Sequence, residues 1–126
     1  MQKKSKDDWY IHYVIDGSKI DGMLNIHTHG MHNYEHLDFQ LVLPVSEEQA
    51  VSFLNSLCYE VKNGRKYTEG EYDDDLFSCK YRLELYRETD RDVLRLILPD
   101  TQLRFPEDRL CQFPYNLQMI GDFYKN

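Results

Sequence analysis

Four of the five histidines of this chain lie in one short segment, Asn25 to His36, with the sequence NIHTHGMHNYEH. Imidazole binds transition metals and titrates near neutral pH, so such a segment can hold a metal ion or move protons. On a strand, His27 and His29 would project from the same face, because side chains two residues apart do so. The candidate metal ligands are His27, His29, His32 and His36, a nitrogen set that suits zinc or nickel.

A second chemical pattern in the same region joins a histidine to a carboxylate. His36 and Asp38 are two residues apart, and a carboxylate that fixes the tautomer of a histidine is the arrangement used in general acid/base chemistry. The same pairing also satisfies the hydrogen bonds of a partly buried histidine. The spacing places no serine or cysteine as a nucleophile beside them. Glu35, Asp38 and the more distant Asp100 are the carboxylates that could add an oxygen ligand to a metal.

These residues need a scaffold, and the hydrophobic pattern predicts one helix among short strands. Ser46 has the properties of an N-cap with Gln49 at the capping-box position, and apolar residues recur at helical spacing up to Val61, so we expect a helix over residues 46–63. Alternating or continuous apolar runs bounded by turn residues predict five strands, at residues 10–16, 23–31, 37–44, 77–88 and 92–100.

The predicted fold class is α+β, with a single antiparallel sheet of about five strands covered by one main helix. The acidic stretch 65–75 is expected to be a solvated loop, and the C-terminal segment is expected to pack across the sheet. The length of 126 residues indicates a single domain, 1–126, and residues 1–8 are expected to form a disordered tail.

Composition limits the class of partner and the compartment. The formal net charge of -7 and the absence of a basic stripe argue against nucleic acid. No apolar run reaches membrane-spanning length, and the N-terminus lacks the apolar core of a signal peptide, so we expect a cytoplasmic protein without membrane contact. The cysteines, Cys58, Cys79 and Cys111, form no C-x-x-C pair and are expected to be free thiols.

An ordered succession of short motifs covers roughly Met23 to Gln112. Its parts are Thr28 to Met31, His36 to Phe39, Val61 to Gly64, Leu96 to Asp100, and Phe105-Pro106. This succession resembles the bacterial family of unknown function numbered 4262, whose members carry T-x-G-L, H-P-E-L, W-P-D and F-P motifs in that order. The resemblance implies a bacterial protein with a shared ligand site near Thr28, Gly30, His36, Asp38 and Asp100. It implies no known reaction.

Three functions remain open from the sequence. We expect a non-catalytic binding module, without a cofactor, for an unidentified protein or small ligand, because the ten tyrosines are typical of recognition surfaces. The alternative is a metal-dependent hydrolase with zinc or nickel in the histidine segment, whose NIHTHG sequence also resembles the H-x-H start of amidohydrolases. The third is a homodimer formed through an exposed strand edge.

Overall fold

The described residues form one six-stranded sheet, one α-helix and two short 3-10 helices. The computed structural model describes residues 9–13, 23–88 and 90–118. The strands are β1 (Tyr10–Tyr13), β2 (Leu24–His29), β3 (Asp38–Leu43), β4 (Gly70–Tyr72), β5 (Tyr81–Arg87) and β6 (Asp92–Ile97), and the helix α1 is Glu47–Lys62. The order across the sheet is β1-β2-β3-β6-β5-β4. The α+β class is therefore confirmed.

The sheet is mixed, so the prediction of an antiparallel sheet of about five strands was wrong in both direction and number. At the centre, β3 and β6 run parallel, with Asp38 opposite Val93. Both strands are buried on both faces, as is typical of central strands. Their nearly continuous apolar sequences do not indicate which strand each one pairs with. The parallel pairing is possible because α1 and two further strands separate β3 from β6 along the chain.

The sixth strand, β4, lies inside the stretch that the sequence predicted to be a solvated loop. It has three residues and pairs with β5 from Gly70 opposite Leu83 to Tyr72 opposite Tyr81. The rings of Tyr72 and Tyr81 stack with their centroids 5.5 Å apart. Local sequence missed this strand because its acidic surroundings have no alternating pattern, and the ring that stacks on Tyr72 belongs to β5, nine residues further along the chain.

The helix begins and ends close to the predicted residues. The Ser46 hydroxyl accepts a hydrogen bond from the Gln49 amide at 3.1 Å, which caps the first turn. Its buried face packs on one side of the sheet and consists of Ala50, Leu54, Leu57, Cys58 and Val61.

The other side of the sheet, which we call the far face, carries buried polar residues that include His27, Gln40 and Arg95. It is contacted by the C-terminal segment: the Gln118 side chain accepts from the Leu98 amide and the Gln118 carbonyl accepts from Arg95, both at 2.8 Å. The expected tail at residues 1–8 lies outside the described residues, and the extent of the domain stays a prediction. No helix in the described part of the chain is long and apolar enough to cross a membrane.

Candidate metal centre

Three histidines from two neighbouring strands meet on the far face. In the antiparallel pairing of β1 with β2, His12 lies opposite His27, and His29 follows His27 by two residues on the same face. The His27 ring centroid lies 4.8 Å from those of His12 and His29. We call His12, His27 and His29 the histidine cluster.

The ring nitrogens of the histidine cluster converge. The Nδ1 atom of His12 lies 2.9 Å from Nε2 of His27 and 3.4 Å from Nε2 of His29. One nitrogen from each ring lies within 4.8 Å of the other two. Nitrogens that bind one tetrahedral zinc ion at about 2.0–2.1 Å are themselves about 3.3 Å apart. The two separations from His12 Nδ1 are thus close to those around a bound ion, and the nitrogens of His27 and His29 would have to approach each other by up to about 1.5 Å.

Glu88 lies behind His27, on the side away from the other two rings. Its Oε2 atom is 3.0 Å from Nδ1 of His27. The oxygen lies off the direction of a hydrogen on Nδ1, so the contact is mainly electrostatic and Nδ1 lacks a well-aligned hydrogen-bond partner. A nearby carboxylate nevertheless favours the tautomer with the proton on Nδ1, which leaves the Nε2 lone pair directed at the cluster.

Glu88 is itself fixed by two neighbours. Gln40 donates to its Oε2 at 3.1 Å, and Arg91 donates from Nε to its Oε1 at 2.9 Å. Burial alone would raise the pKa of the Glu88 carboxyl, but the contacts from His27 and Arg91 outweigh it and hold the pKa at about 2. Glu88 is therefore a charged carboxylate at neutral pH.

His29 differs from His27 because its second ring nitrogen faces a cation. Nδ1 of His29 lies 3.4 Å from the Arg91 guanidinium, while the ring stacks on Tyr10 with centroids 5.0 Å apart. Burial, then Arg91, then His27 lower the pKa of His29, so the ring is neutral at pH 7, as a metal ligand must be. Metal binding through Nε2 puts a proton on Nδ1, so His29 would then lose its contact with Arg91.

Thr28, Gly30 and Asp38, three of the predicted site residues, come together beside the cluster. The Thr28 hydroxyl donates to Oδ1 of Asp38 at 2.7 Å, and Arg91 donates to Oδ2 at 2.8 Å. The main-chain amide of Met31 also donates to Oδ1, at 3.1 Å. Gly30 has a φ of 123°, a backbone conformation that favours glycine. These contacts hold the end of β2 and the Arg91 side chain in place.

His36 lies apart from the histidine cluster and does not pair with Asp38. Its Nδ1 atom contacts the carbonyl of Leu37 at 2.8 Å, and its Nε2 atom accepts from the Tyr67 amide at 2.9 Å. His32 is exposed on a short 3-10 helix, Met31–Tyr34. Of the four predicted metal ligands, the structure therefore brings together only His27 and His29.

Asp100 lies at the other end of β6 from Asp38, which pairs with the start of that strand. Its side chain is covered by its own loop and accepts from the amides of Gln102, Arg104 and Gln112, each at 2.9 Å. Burial would raise the pKa of Asp100, but these amides and the Arg104 side chain lower it to about 2. Asp100 is bound within its own turn and is not part of the site near Thr28.

Sequence reasoning missed His12 as a ligand. The signal was present, since His12 lies on a predicted strand that was expected to run antiparallel to the one with His27 and His29. The register of that pairing decides whether the three rings meet, and no register was predicted from the sequence.

Comparison with known proteins adds no family: no family model, curated protein or solved structure matches the chain. The resemblance to family 4262 therefore stays a prediction, and the function is inferred from the geometry of the cluster.

Proposed function

We propose that this protein binds a divalent transition-metal ion, with zinc as the best match, through His12, His27 and His29. The observation that carries the proposal is the position of His12 Nδ1, which lies 2.9 and 3.4 Å from the Nε2 atoms of the other two rings. Nickel suits the same nitrogen donors. Non-catalytic binding of the ion is the proposed role.

The protons available to the cluster support metal binding over a purely structural role. A neutral imidazole has one N–H and one lone pair, so the single in-plane position at His12 Nδ1 can form one good hydrogen bond, although two rings face it. A cation at the centre accepts all three lone pairs at once. The deprotonated state that this requires agrees with the lowered pKa of His29.

The surroundings of His27 also fit a metal ligand. A histidine that binds zinc usually places its other ring nitrogen against a carboxylate or carbonyl, which orients the ring. Glu88 lies 3.0 Å from that nitrogen of His27, where its charge acts on the ring without a well-aligned hydrogen bond, and it is held by Gln40 and Arg91. The Arg91 guanidinium beside Nδ1 of His29 has the opposite effect, because it disfavours a proton on that nitrogen. We therefore expect the zinc affinity to be lower than that of a site in which all three histidines have such a carboxylate or carbonyl partner.

The test is metal binding by tag-free protein after removal of bound metal with a chelator. Elemental analysis and calorimetry should show one zinc ion per chain, and the double variant His27→Ala/His29→Ala should lose it. The matched control, His32→Ala/His36→Ala, removes the two histidines outside the cluster and should keep it. Equal loss in both double variants, or no binding by the wild type, would refute the proposal.

Metal-dependent hydrolysis is a second candidate. Three histidine ligands leave one position of a tetrahedral ion for water, as in catalytic zinc sites, where the pKa of that water is near 7. His12 is exposed and His29 half-buried, so a substrate can reach this position. Zinc-loaded protein should then hydrolyse an activated ester such as p-nitrophenyl acetate faster than the His29→Ala variant at equal total zinc. Equal rates would eliminate this candidate while leaving the binding proposal intact.

A further inference from the structure

A groove on the helix side of the sheet lies on the opposite face from the histidine cluster. It has a volume of about 440 Å³ and lies between the residues after the 3-10 helix, the loop that follows α1, and the adjoining ends of β5 and β6. Leu37 and Leu85 on its wall are 41% and 51% exposed. His36, Tyr67 and Leu94 also line the groove.

The groove adjoins a strand edge that is only partly covered. Among the described residues, β4 pairs with Tyr81 to Leu83 of β5 and not with the residues from Glu84 to Arg87. N–H and C=O groups alternate in direction along a strand. The amide of Leu85 points away from β6, because it donates to the Glu69 carboxylate at 2.9 Å. The main-chain groups of Arg87 point the same way.

Glu69 shows that this strand edge can bind a hydrogen-bond acceptor. Its carboxylate takes the position that the carbonyl of an added strand would take at the Leu85 amide. A strand that displaces Glu69 replaces one hydrogen bond by several and leaves the carboxylate available to a cation. Glu69 and Glu35 line the groove against one lysine, Lys66, in a chain of net charge -7.

We propose that this surface binds an extended peptide segment of another protein, which adds a strand beside Glu84 to Arg87 of β5. One apolar side chain of the peptide enters the groove between Leu37 and Leu85, and flanking basic residues pair with Glu35 and Glu69. Main-chain hydrogen bonds provide the affinity and the groove provides the selectivity, as in other cases of strand addition. This site is independent of the metal centre.

The probe is the synthetic peptide acetyl-Lys-Val-Leu-Val-Lys-amide, in which leucine and both lysines lie on one face when extended. Titration followed by amide NMR shifts should perturb Leu85, Arg87 and Leu94 and leave His27 and His29 unchanged. A peptide with asparagine in place of leucine should bind at least about tenfold more weakly, as expected for losing a buried leucine side chain. A peptide methylated on the leucine nitrogen should also lose affinity, because it lacks one main-chain donor.

Variants of the protein distinguish a bound peptide from a second copy of the chain as the occupant of the groove. Leu85→Lys should abolish peptide binding, whereas Leu110→Lys, at a side chain that is 65% exposed elsewhere on the surface, should not. Either substitution is at an exposed position, and unchanged amide spectra will confirm that the fold is retained. Absence of shifts at millimolar peptide, shifts confined to β1, or equal binding of leucine and asparagine peptides would overturn the proposal. A protein dimer in sedimentation that Leu85→Lys disrupts would assign the edge to a second copy of the chain, and would also overturn it.

Discussion

Two histidine environments in this molecule differ in what their ring nitrogens contact. Both nitrogens of His36 contact main-chain groups, the Leu37 carbonyl and the Tyr67 amide. In the histidine cluster, His12 Nδ1 faces the Nε2 atoms of two other rings. The first arrangement leaves no ring nitrogen available for a ligand. The second directs three potential donors at one point, which a cation would stabilise.

The comparison shows that proximity in sequence is a poor guide to a shared site. His36 belongs to the same short segment as His27 and His29, yet a turn carries it to the helix side of the sheet, where its neighbours are Phe39 and Tyr67. His12, which is distant in sequence, is brought into contact by strand pairing. The structural histidine and the candidate ligands are thus distinguished by their partners.

Removal of one ligand should give the largest effect on metal binding. His27→Ala should weaken zinc binding by more than the roughly 10–100-fold that loss of an outer-shell partner costs, because a direct ligand is lost. His36→Ala should leave the affinity unchanged. Competition with a chromophoric chelator measures both, and comparable losses would remove the distinction between the two environments.

Loss of the carboxylate behind His27 should give the next largest effect. Glu88→Gln keeps the shape of the side chain but removes the charge that favours a proton on Nδ1, so zinc affinity should fall about tenfold, at the lower end of the range for such partners. The matched control is Glu84→Gln on β5, whose carboxylate pairs with Arg82. Unchanged affinity in Glu88→Gln would show that Glu88 does not orient the ligand.

For His36 the measurable effect should be on stability. His36→Ala leaves the Tyr67 amide without its partner, so the free energy of unfolding should fall by about 1 kcal/mol. Urea unfolding of the metal-free protein measures it. An unchanged midpoint would contradict the structural role that we assign to His36.

The side chain of Asp100, like that of His36, has main-chain groups of this chain as hydrogen-bond partners. Its pKa is about 2 in the folded protein against an ordinary value of 3.8. A lowered pKa means that its contribution to stability is complete above about pH 4 and is lost as the pH falls toward 2. Asp100→Asn should therefore lower the melting temperature at pH 7 and flatten its dependence on pH between 4 and 2, with zinc binding unchanged. A pH profile parallel to that of the wild type would contradict this.

The smallest effect should come from His32→Ala. The side chain is exposed on the 3-10 helix, so stability should change by no more than about 0.5 kcal/mol, and zinc affinity should be unchanged. Urea unfolding and calorimetry measure the two quantities. A clear loss of zinc affinity would return His32 to the metal site that the sequence first suggested.

Local signals in the sequence predicted those features that neighbouring residues determine. Ser46 and the apolar spacing from Ala50 to Val61 gave the helix, and period-two alternation gave the shared face of His27 and His29. Pairing between distant segments was not predictable in this way. The parallel contact of β3 with β6 and the strand β4 both depend on such pairing.

The candidate site was predicted in part for the same reason. Two of its ligands, His27 and His29, could be identified because they lie on one strand. The third, His12, depends on the register of β1 against β2, and the supporting carboxylate, Glu88, directly follows β5. His32 and His36 were predicted as ligands because they are close to His27 and His29 in the sequence. Closeness in sequence does not show that the chain turns after Gly30.

The most direct test of the histidine cluster is nitrogen NMR of the histidine rings during zinc titration of metal-free, tag-free protein. We predict saturable changes at Nδ1 of His12 and at Nε2 of His27 and His29, reaching an end point at one zinc ion per chain. The rings of His32 and His36 should not change. Changes at His32 or His36 in place of His12, or no change in any ring, would contradict this prediction.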